Sequence, residues 1–254
     1  MDFATALIAE NAAFADLLRT ADRSLPVPTC PEWTVQQLMR HVGRGDRWCA
    51  QIVADQSMDY IDPRTVAGGK PPEGRDNEIE WLQAGAQQLI DAVAQTGPDT
   101  PVWTFLGPRP AQWWIRRRLH EVVVHRADAA IALGADYEVD PAMAADAITE
   151  WLERVVIQAD EEGPAGGDRP LGDGQSVHLH ATDPGLGTAG EWTILGRPDG
   201  IALAHEHGKA TVALRGPARS LLLAVVRRRS AAEEGLEVFG DAGVWDTWLA
   251  RTPF

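Results

Sequence analysis

"RRRLHEVVVHRADAA", residues Arg116 to Ala130, decides how this chain is read. Three arginines precede a run that mixes two histidines and a glutamate with valines. The spacing is H-E-x-x-x-H, one residue longer than the H-E-x-x-H of zinc proteases. On a helix each residue advances about 100°. Glu121 and His125 are four apart, so they stand about 40° apart and one turn along, and both can face one ion. His120 and His125 diverge by about 140° and cannot readily share a ligand. One carboxylate and one imidazole do not complete a zinc site, since a catalytic zinc takes about three protein ligands and keeps a position open.

Working outward, the stretch falls in a predicted helix from about Ala111 to Leu133, stopped by Gly134. Three amphipathic segments precede it. The first runs from about Phe3 to Ala21, with Phe3, Leu7, Phe14, Leu17 and Leu18 near one face. "SLPVPTCPEW" then breaks the chain as a proline-rich loop. Thr34 opens the second helix, where "TVQQ" spells a capping box. The third spans about Glu78 to Gln95. Four such helices separated by breaker loops predict a four-helix bundle over residues 1–138.

Of the seven histidines, only His41 lies on another helix of that bundle. It sits between Leu38 and Val42, so it should point inward, where it needs a polar partner. Spacing leaves two accounts open. His41, Glu121 and His125 could share a metal, as bundles build sites from facing helices. Alternatively, Glu121 and His125 form an ordinary i,i+4 pair and His41 is a core histidine bonded to a carbonyl.

The pattern changes over residues 139–254. A helix opens with Asp140 as cap and Pro141 in its first turn. Short alternating segments follow ("SVHLHA", "EWTILG", "GIALAHEH", "KATVALRG"), punctuated by the turn chemistry of "DPGLG" and "RPDG". A helix "PARSLLLAVVRRR", a strand "LEVFG" and a helix "AGVWDTWLA" complete it. This half reads as a small α+β domain, an antiparallel sheet with helices on it. "HLH" and "HEH" put His178 with His180, and His205 with His207, on single strand faces. A hairpin would bring four imidazoles together, although solvent-facing histidines on a sheet are the commoner arrangement.

Composition narrows the function classes. The chain has 254 residues, 44% of them hydrophobic, with a formal net charge of -14. That charge repels phosphate backbones, and the basic runs Arg116–Arg118 and Arg227–Arg229 lie in segments that read as helical, so no nucleic-acid partner is expected. For the first run, solvation of a helix edge is expected. Arg126 and Asp128 are expected to form surface or interdomain pairs. No apolar run reaches about 18 residues, and "MDFATALIAENAAF" has no basic leader, so neither a membrane span nor secretion is expected. Cys30 and Cys49 do not make a disulfide framework, which suits a reduced cytoplasmic compartment. Loop position and helix packing account for them.

The sequence resembles the mycothiol-dependent maleylpyruvate isomerase family. The likeness rests on "CPEWTVQQLMRHVGRGDRW", "RRRLHEVVVHRADAA", "ATVALRGPARSLLLAVVRRR" and "LEVFGDAGVWDTWLA", in order along nearly the whole chain. It implies a DinB-like four-helix bundle followed by a small α+β domain similar to sterol-carrier folds. It puts the metal ligands on His41, Glu121 and His125, with zinc or another divalent metal as the ion and mycothiol as the thiol cofactor. It implies a small-molecule substrate, with an arginine whose best match is Arg228 placed to meet an anionic one. The family motif often has an aromatic and a glycine before that arginine; Val226 and Arg227 stand there instead. Arg228 can equally be a positive charge at a helix C-terminus. Three activities remain compatible: isomerisation of a maleyl-type diacid, thiol transfer to an electrophile, or a metal-stabilised binding or regulatory module without turnover.

Overall fold

The structure is a computed structural model and describes residues 1–162 and 169–252. The chain divides into two compact units, Met1–Tyr137 and Glu138–Phe254. The first contains α1 (Phe3–Arg19), β1 (Pro26–Val27), β2 (Cys30–Thr34), α2 (Val35–Ala54), α3 (Arg75–Thr96), β3 (Pro101–Val102), β4 (Arg109–Pro110) and α4 (Trp113–Leu133). The four helices form the expected bundle, with α2 against α3 and α1 against α4. Leu7, Phe14, Leu38, Val42, Ile79, Leu82, Leu119 and Val123 lie in its core, each fully buried. These are the stripes that a 3.6-residue period places on one face of each helix.

Local chemistry sets the helix ends. The Thr34 hydroxyl accepts from Gln37 N at 3.3 Å, while Gln37 Oε1 accepts from Thr34 N at 2.8 Å, so both halves of the capping box are present. Such a cap stabilises a helix by about 0.5–2 kcal/mol. Gly134 ends α4 at φ 63°, the left-handed conformation that a residue without Cβ adopts at no steric cost. The proline-rich segment before α2 is not wholly loop. β1 and β2 pair antiparallel there, a two-stranded ribbon that leaves the proline nitrogens outside the ladder.

The second unit contains α5 (Pro141–Glu162), β5 (Ser176–Ala181), a 3-10 turn (Gly187–Gly190), β6 (Glu191–Arg197), β7 (Gly200–Ala204), β8 (Val212–Gly216), α6 (Ala218–Val225), β9 (Glu237–Gly240) and α7 (Ala242–Arg251). Asp140 Oδ1 caps α5 by accepting from Ala142 N and Met143 N. The sheet order is β7-β6-β5-β8-β9. It is mixed rather than antiparallel, because β8 runs parallel to β5. The meander β5-β6-β7 leaves the chain on one edge. Ala204 lies in the row of His178, and Val212 lies in the row of Val177 on the far side of β5. Residues 205–211 must therefore cross β6 and β5 transversely to start β8. Val177, Leu179, Trp192, Ile194 and Leu214 form the buried face, where Trp192 Nε1 donates to Thr149 Oγ1 of α5 at 2.9 Å.

α6 is shorter than its sequence suggested. It ends at Val225, with Val226 as its C-cap, so Arg227–Arg229 lie beyond it. Arg227 takes φ 59°. The backbone is left-handed at the position where the family resemblance expects glycine, a conformation that costs a residue with a Cβ about 1–2 kcal/mol. None of the described helices is long and apolar enough to cross a membrane.

Candidate metal centre

α2 carries His41, and α4 carries Glu121 and His125. His41 Nε2 and His125 Nε2 each lie 3.1 Å from Glu121 Oε1. The three atoms fall within 4.8 Å of one another. The two imidazoles meet edge-on with centroids 4.9 Å apart. The structure thus joins the i,i+4 pair on α4 to the histidine on the facing helix. The His125 side chain is 5% exposed and that of His41 38%, so the group sits at the rim of the bundle with one open side. His41 faces α4 as expected without entering the core.

The surroundings orient the side chains of α4 in this cluster. His125 Nδ1 lies 2.8 Å from Asp128 Oδ2. With that carboxylate accepting from Nδ1–H, Nε2 is turned to the centre. Asp128 is fully buried, accepts from Thr29 Oγ1 at 2.5 Å, and lies 3.8 Å from Cys30 Sγ. The second Glu121 oxygen accepts from Arg117 Nη2. Arg118 Nε donates to Asp46 Oδ1 at 2.8 Å and its Nη2 to the Val42 carbonyl at 3.0 Å. Asp46 also accepts from Asn11 Nδ2 at 3.1 Å. This network needs Gly45, where a Cβ would stand 2.7 Å from the Arg118 guanidinium. Trp33 of β2 packs on His41 with centroids 4.7 Å apart.

Two expectations are corrected here. Arg117 and Arg118 are 5% and 6% exposed, so they are buried counter-charges rather than a solvated edge. Only Arg116 of that run is half-buried, with its guanidinium 5.8 Å from the Phe3 ring. Asp128 is fully buried, so it is not a surface residue. Arg126 Nε donates to Glu10 Oε2 at 2.8 Å within the same unit, and Asp128 orients His125. The helical offset of three from His125 to Asp128, and of four from Arg117 to Glu121, was the available signal for both. Trp33 and Cys30 come from a strand pair, and no spacing rule points to them.

Charge follows geometry. Burial pushes the Glu121 carboxyl up, but Arg117 and the bonds from His125 and His41 outweigh it and hold the group well below the usual carboxylate range. Burial lowers the His41 pKa, against the pull of Glu121, and so favours the neutral ring that a metal requires. Burial also acts to lower His125, but the bonds to Asp128 and Glu121 outweigh it and raise its pKa. Two imidazoles and one carboxylate around a common point, with an orienting aspartate behind, fit zinc or a similar divalent cation. Arg228, in the second unit, donates from Nη1 to the Val226 carbonyl at 2.8 Å. That bond agrees with the reading of Arg228 as a charge at a helix end.

A four-helix bundle carrying a His/His/Glu cluster, followed by an α+β domain, defines the class of two-domain protein to which the chain belongs. Sequence models narrow the class. Residues 4–130 match the mycothiol maleylpyruvate isomerase N-terminal domain, and residues 142–247 match the C-terminal domain of the same family. The chain belongs to the mycothiol-dependent maleylpyruvate isomerase family. Its fold is similar to the crystal structure of a mycothiol-dependent maleylpyruvate isomerase, with a TM-score of 0.51 at 15% identity, covering 90% of this chain and 89% of the other. A histidine-to-alanine mutant of such an isomerase gives 0.56 at 16% identity over the same shares. At these identities the likeness is one of fold. Two uncharacterized proteins of Mycobacterium tuberculosis, MT0763 and Rv0738, are each 28% identical over 160 residues, 60% of this chain and 78% of theirs.

Proposed function

We propose that this protein is a metal-dependent enzyme that uses mycothiol to isomerise a small maleyl-type diacid from cis to trans. The observation that carries the reading is the convergence of His41 Nε2, Glu121 Oε1 and His125 Nε2 on one point with an open side. These three would hold the cation, with zinc favoured by the donor set. When bound there, such a cation would lower the pKa of a thiol and so supply, at neutral pH, the thiolate that addition to a double bond and later elimination require.

The chain's own residues prepare that site. Asp128 holds the His125 ring in register, and Arg117 holds the outer oxygen of Glu121 so that Oε1 faces inward. Trp33 walls one side of His41. Cys49 is fully buried and burial pushes its thiol up, so it does not serve as the thiolate. A thiol supplied from outside suits this arrangement, and the cytoplasm is where such thiols stay reduced. Arg228 is the proposed carboxylate contact, through the forked geometry of a guanidinium.

A second reading is favoured by one observation. Val226 and Arg227 precede Arg228, and its Nη1 is engaged by the Val226 carbonyl. A mycothiol S-transferase needs the same metal ligands without a carboxylate clamp. Zinc content of the wild type beside His41→Ala and His125→Ala tests the centre: each variant should hold one equivalent less. Equal zinc in all three would sink the reading. Mycothiol-dependent isomerisation of maleylpyruvate, followed by its ultraviolet absorbance, should fall at least about a hundredfold in both variants. Conjugation of electrophiles without isomerisation would select the transferase. Zinc held without either turnover would select a binding module.

A further inference from the structure

The sheet of the second unit has one face under helices and one that carries histidines. His178 and His180 alternate with buried Val177 and Leu179, so both point away from α5. Glu191 of β6 pairs directly with His180 and shares that face. The crossing segment 205–211 passes over the same face, tied down where Thr193 Oγ1 donates to the Glu206 carbonyl at 2.9 Å. This brings His207 above β5. The four-histidine arrangement of the sequence does not form. His205 Nδ1 faces the Glu191 carbonyl at 3.1 Å and its ring lies beside Trp192 instead. A glutamate takes the fourth place.

We propose that His178, Glu191 and His207 form a second divalent-cation site, independent of the His41 centre and sharing no residue with it. Their ligand atoms lie within 4.8 Å of one another. His178 Nε2 is 2.8 Å from Glu191 Oε2, and His207 Nδ1 is 3.2 Å from Oε1. His180 Nδ1, 2.7 Å from Oε1, holds the carboxylate in place, as hydrogen-bonded neighbours of metal ligands do. Among the described residues, the ion pairs of Glu191 are with these three imidazoles and include no arginine or lysine. The rings crowd edge-on, with His207 centroids 5.0 and 5.5 Å from those of His178 and His180. Three imidazoles around one carboxylate offer nitrogen and oxygen donors, and a first-row divalent ion of the zinc type is the class of ligand they suit. A cavity of about 530 Å³ lined by His180, Glu191, His207 and Arg215 opens on the cluster, so the ion has an entry path and room for a further ligand.

The test is a zinc titration of the untagged, chelator-stripped full chain, read by calorimetry and by bound metal after gel filtration. Wild type should take two equivalents. His207→Ala removes a side chain that is 72% exposed, so the fold should persist, and one equivalent should be lost or weakened at least about tenfold. Glu191→Gln should act likewise at nearly constant shape. The His41→Ala/His125→Ala double variant should keep the equivalent that His207→Ala loses. A wild type with one equivalent, lost on His207→Ala and kept in the His41/His125 variant, would still support this site while removing the other. Titration of His207→Ala and Glu191→Gln indistinguishable from wild type would overturn it.

Discussion

The two units each gather two histidines around a glutamate, and they do so by opposite means. In the bundle, Glu121 and His125 lie one turn apart on α4, and both are backed by buried partners: Asp128 behind His125 and Arg117 behind Glu121, with the Arg118–Asp46 pair beneath. On the sheet, His178 and Glu191 sit on neighbouring strands and His207 arrives on a crossing loop. Its backing is a third imidazole rather than a paired charge. The difference teaches where rigidity comes from. The first cluster is held by buried charges, and the second by a topology that brings an exposed histidine over a strand.

The strongest way to break this contrast is Arg118→Ala. Asp46 is fully buried, and burial already pushes its carboxyl up against the pull of Arg118. Without the guanidinium an uncompensated buried charge remains, a defect that costs about 3–5 kcal/mol. The urea midpoint of the wild type and variant measures the loss. Replacing both partners with apolar residues of similar volume should recover most of it. A loss under about 1 kcal/mol would mean that the bundle centre is no better supported than the sheet cluster.

The same contrast explains what the sequence disclosed. Helix spacing alone paired Glu121 with His125 and set His120 aside, because a 3.6-residue period is local and His41 was the only other bundle histidine. It also held the signals for Arg117 and Asp128, which were read as surface residues because charge suggested solvent. On the sheet, the alternation of "HLH" correctly put His178 and His180 on one face. It could not supply Glu191, because that pairing depends on register, nor the parallel β8, because nothing in a seven-residue connection announces which edge it reaches. The end of α6 was misplaced for a related reason: three arginines favour helix by propensity, whereas the left-handed turn at Arg227 is a tertiary requirement.

A finer test sharpens the role of the backing groups. Asp128→Asn keeps the shape and removes the charge behind His125. Zinc affinity of the first centre should weaken about 10–100-fold, the usual effect of altering a partner of a metal ligand. The sign with pH is separable. In the metal-free protein the His125 pKa is raised, so its stabilisation is present below the unfolded value of about 6.5 and lost as pH rises through the folded value. Zinc competes with that proton and binds better at higher pH. Asp128→Asn removes the strongest bond that raises it, so the pH at which zinc binding is half lost should move down even as the limiting affinity falls. Calorimetric titrations between pH 5 and 8 measure both quantities. An unchanged midpoint would show that Asp128 does not set the state of His125.

The smallest effect is expected from His207→Ala on stability without metal. The His207 side chain is 72% exposed and its hydrogen bond is to a carboxylate already held by His178 and His180. The crossing segment keeps its tie from Thr193 Oγ1 to the Glu206 carbonyl, which the substitution does not touch. Surface changes away from buried groups fall within about 0.5 kcal/mol. The thermal midpoint of the chelator-treated variant should therefore match wild type within about 2 °C. Added zinc should then raise the wild-type midpoint more than that of the variant, since an ion that binds only the folded chain stabilises it in proportion to the sites it fills. A large loss without metal would make His207 a structural clasp for the crossing loop, and the sheet cluster would then resemble the bundle centre in being built from residues the fold cannot spare.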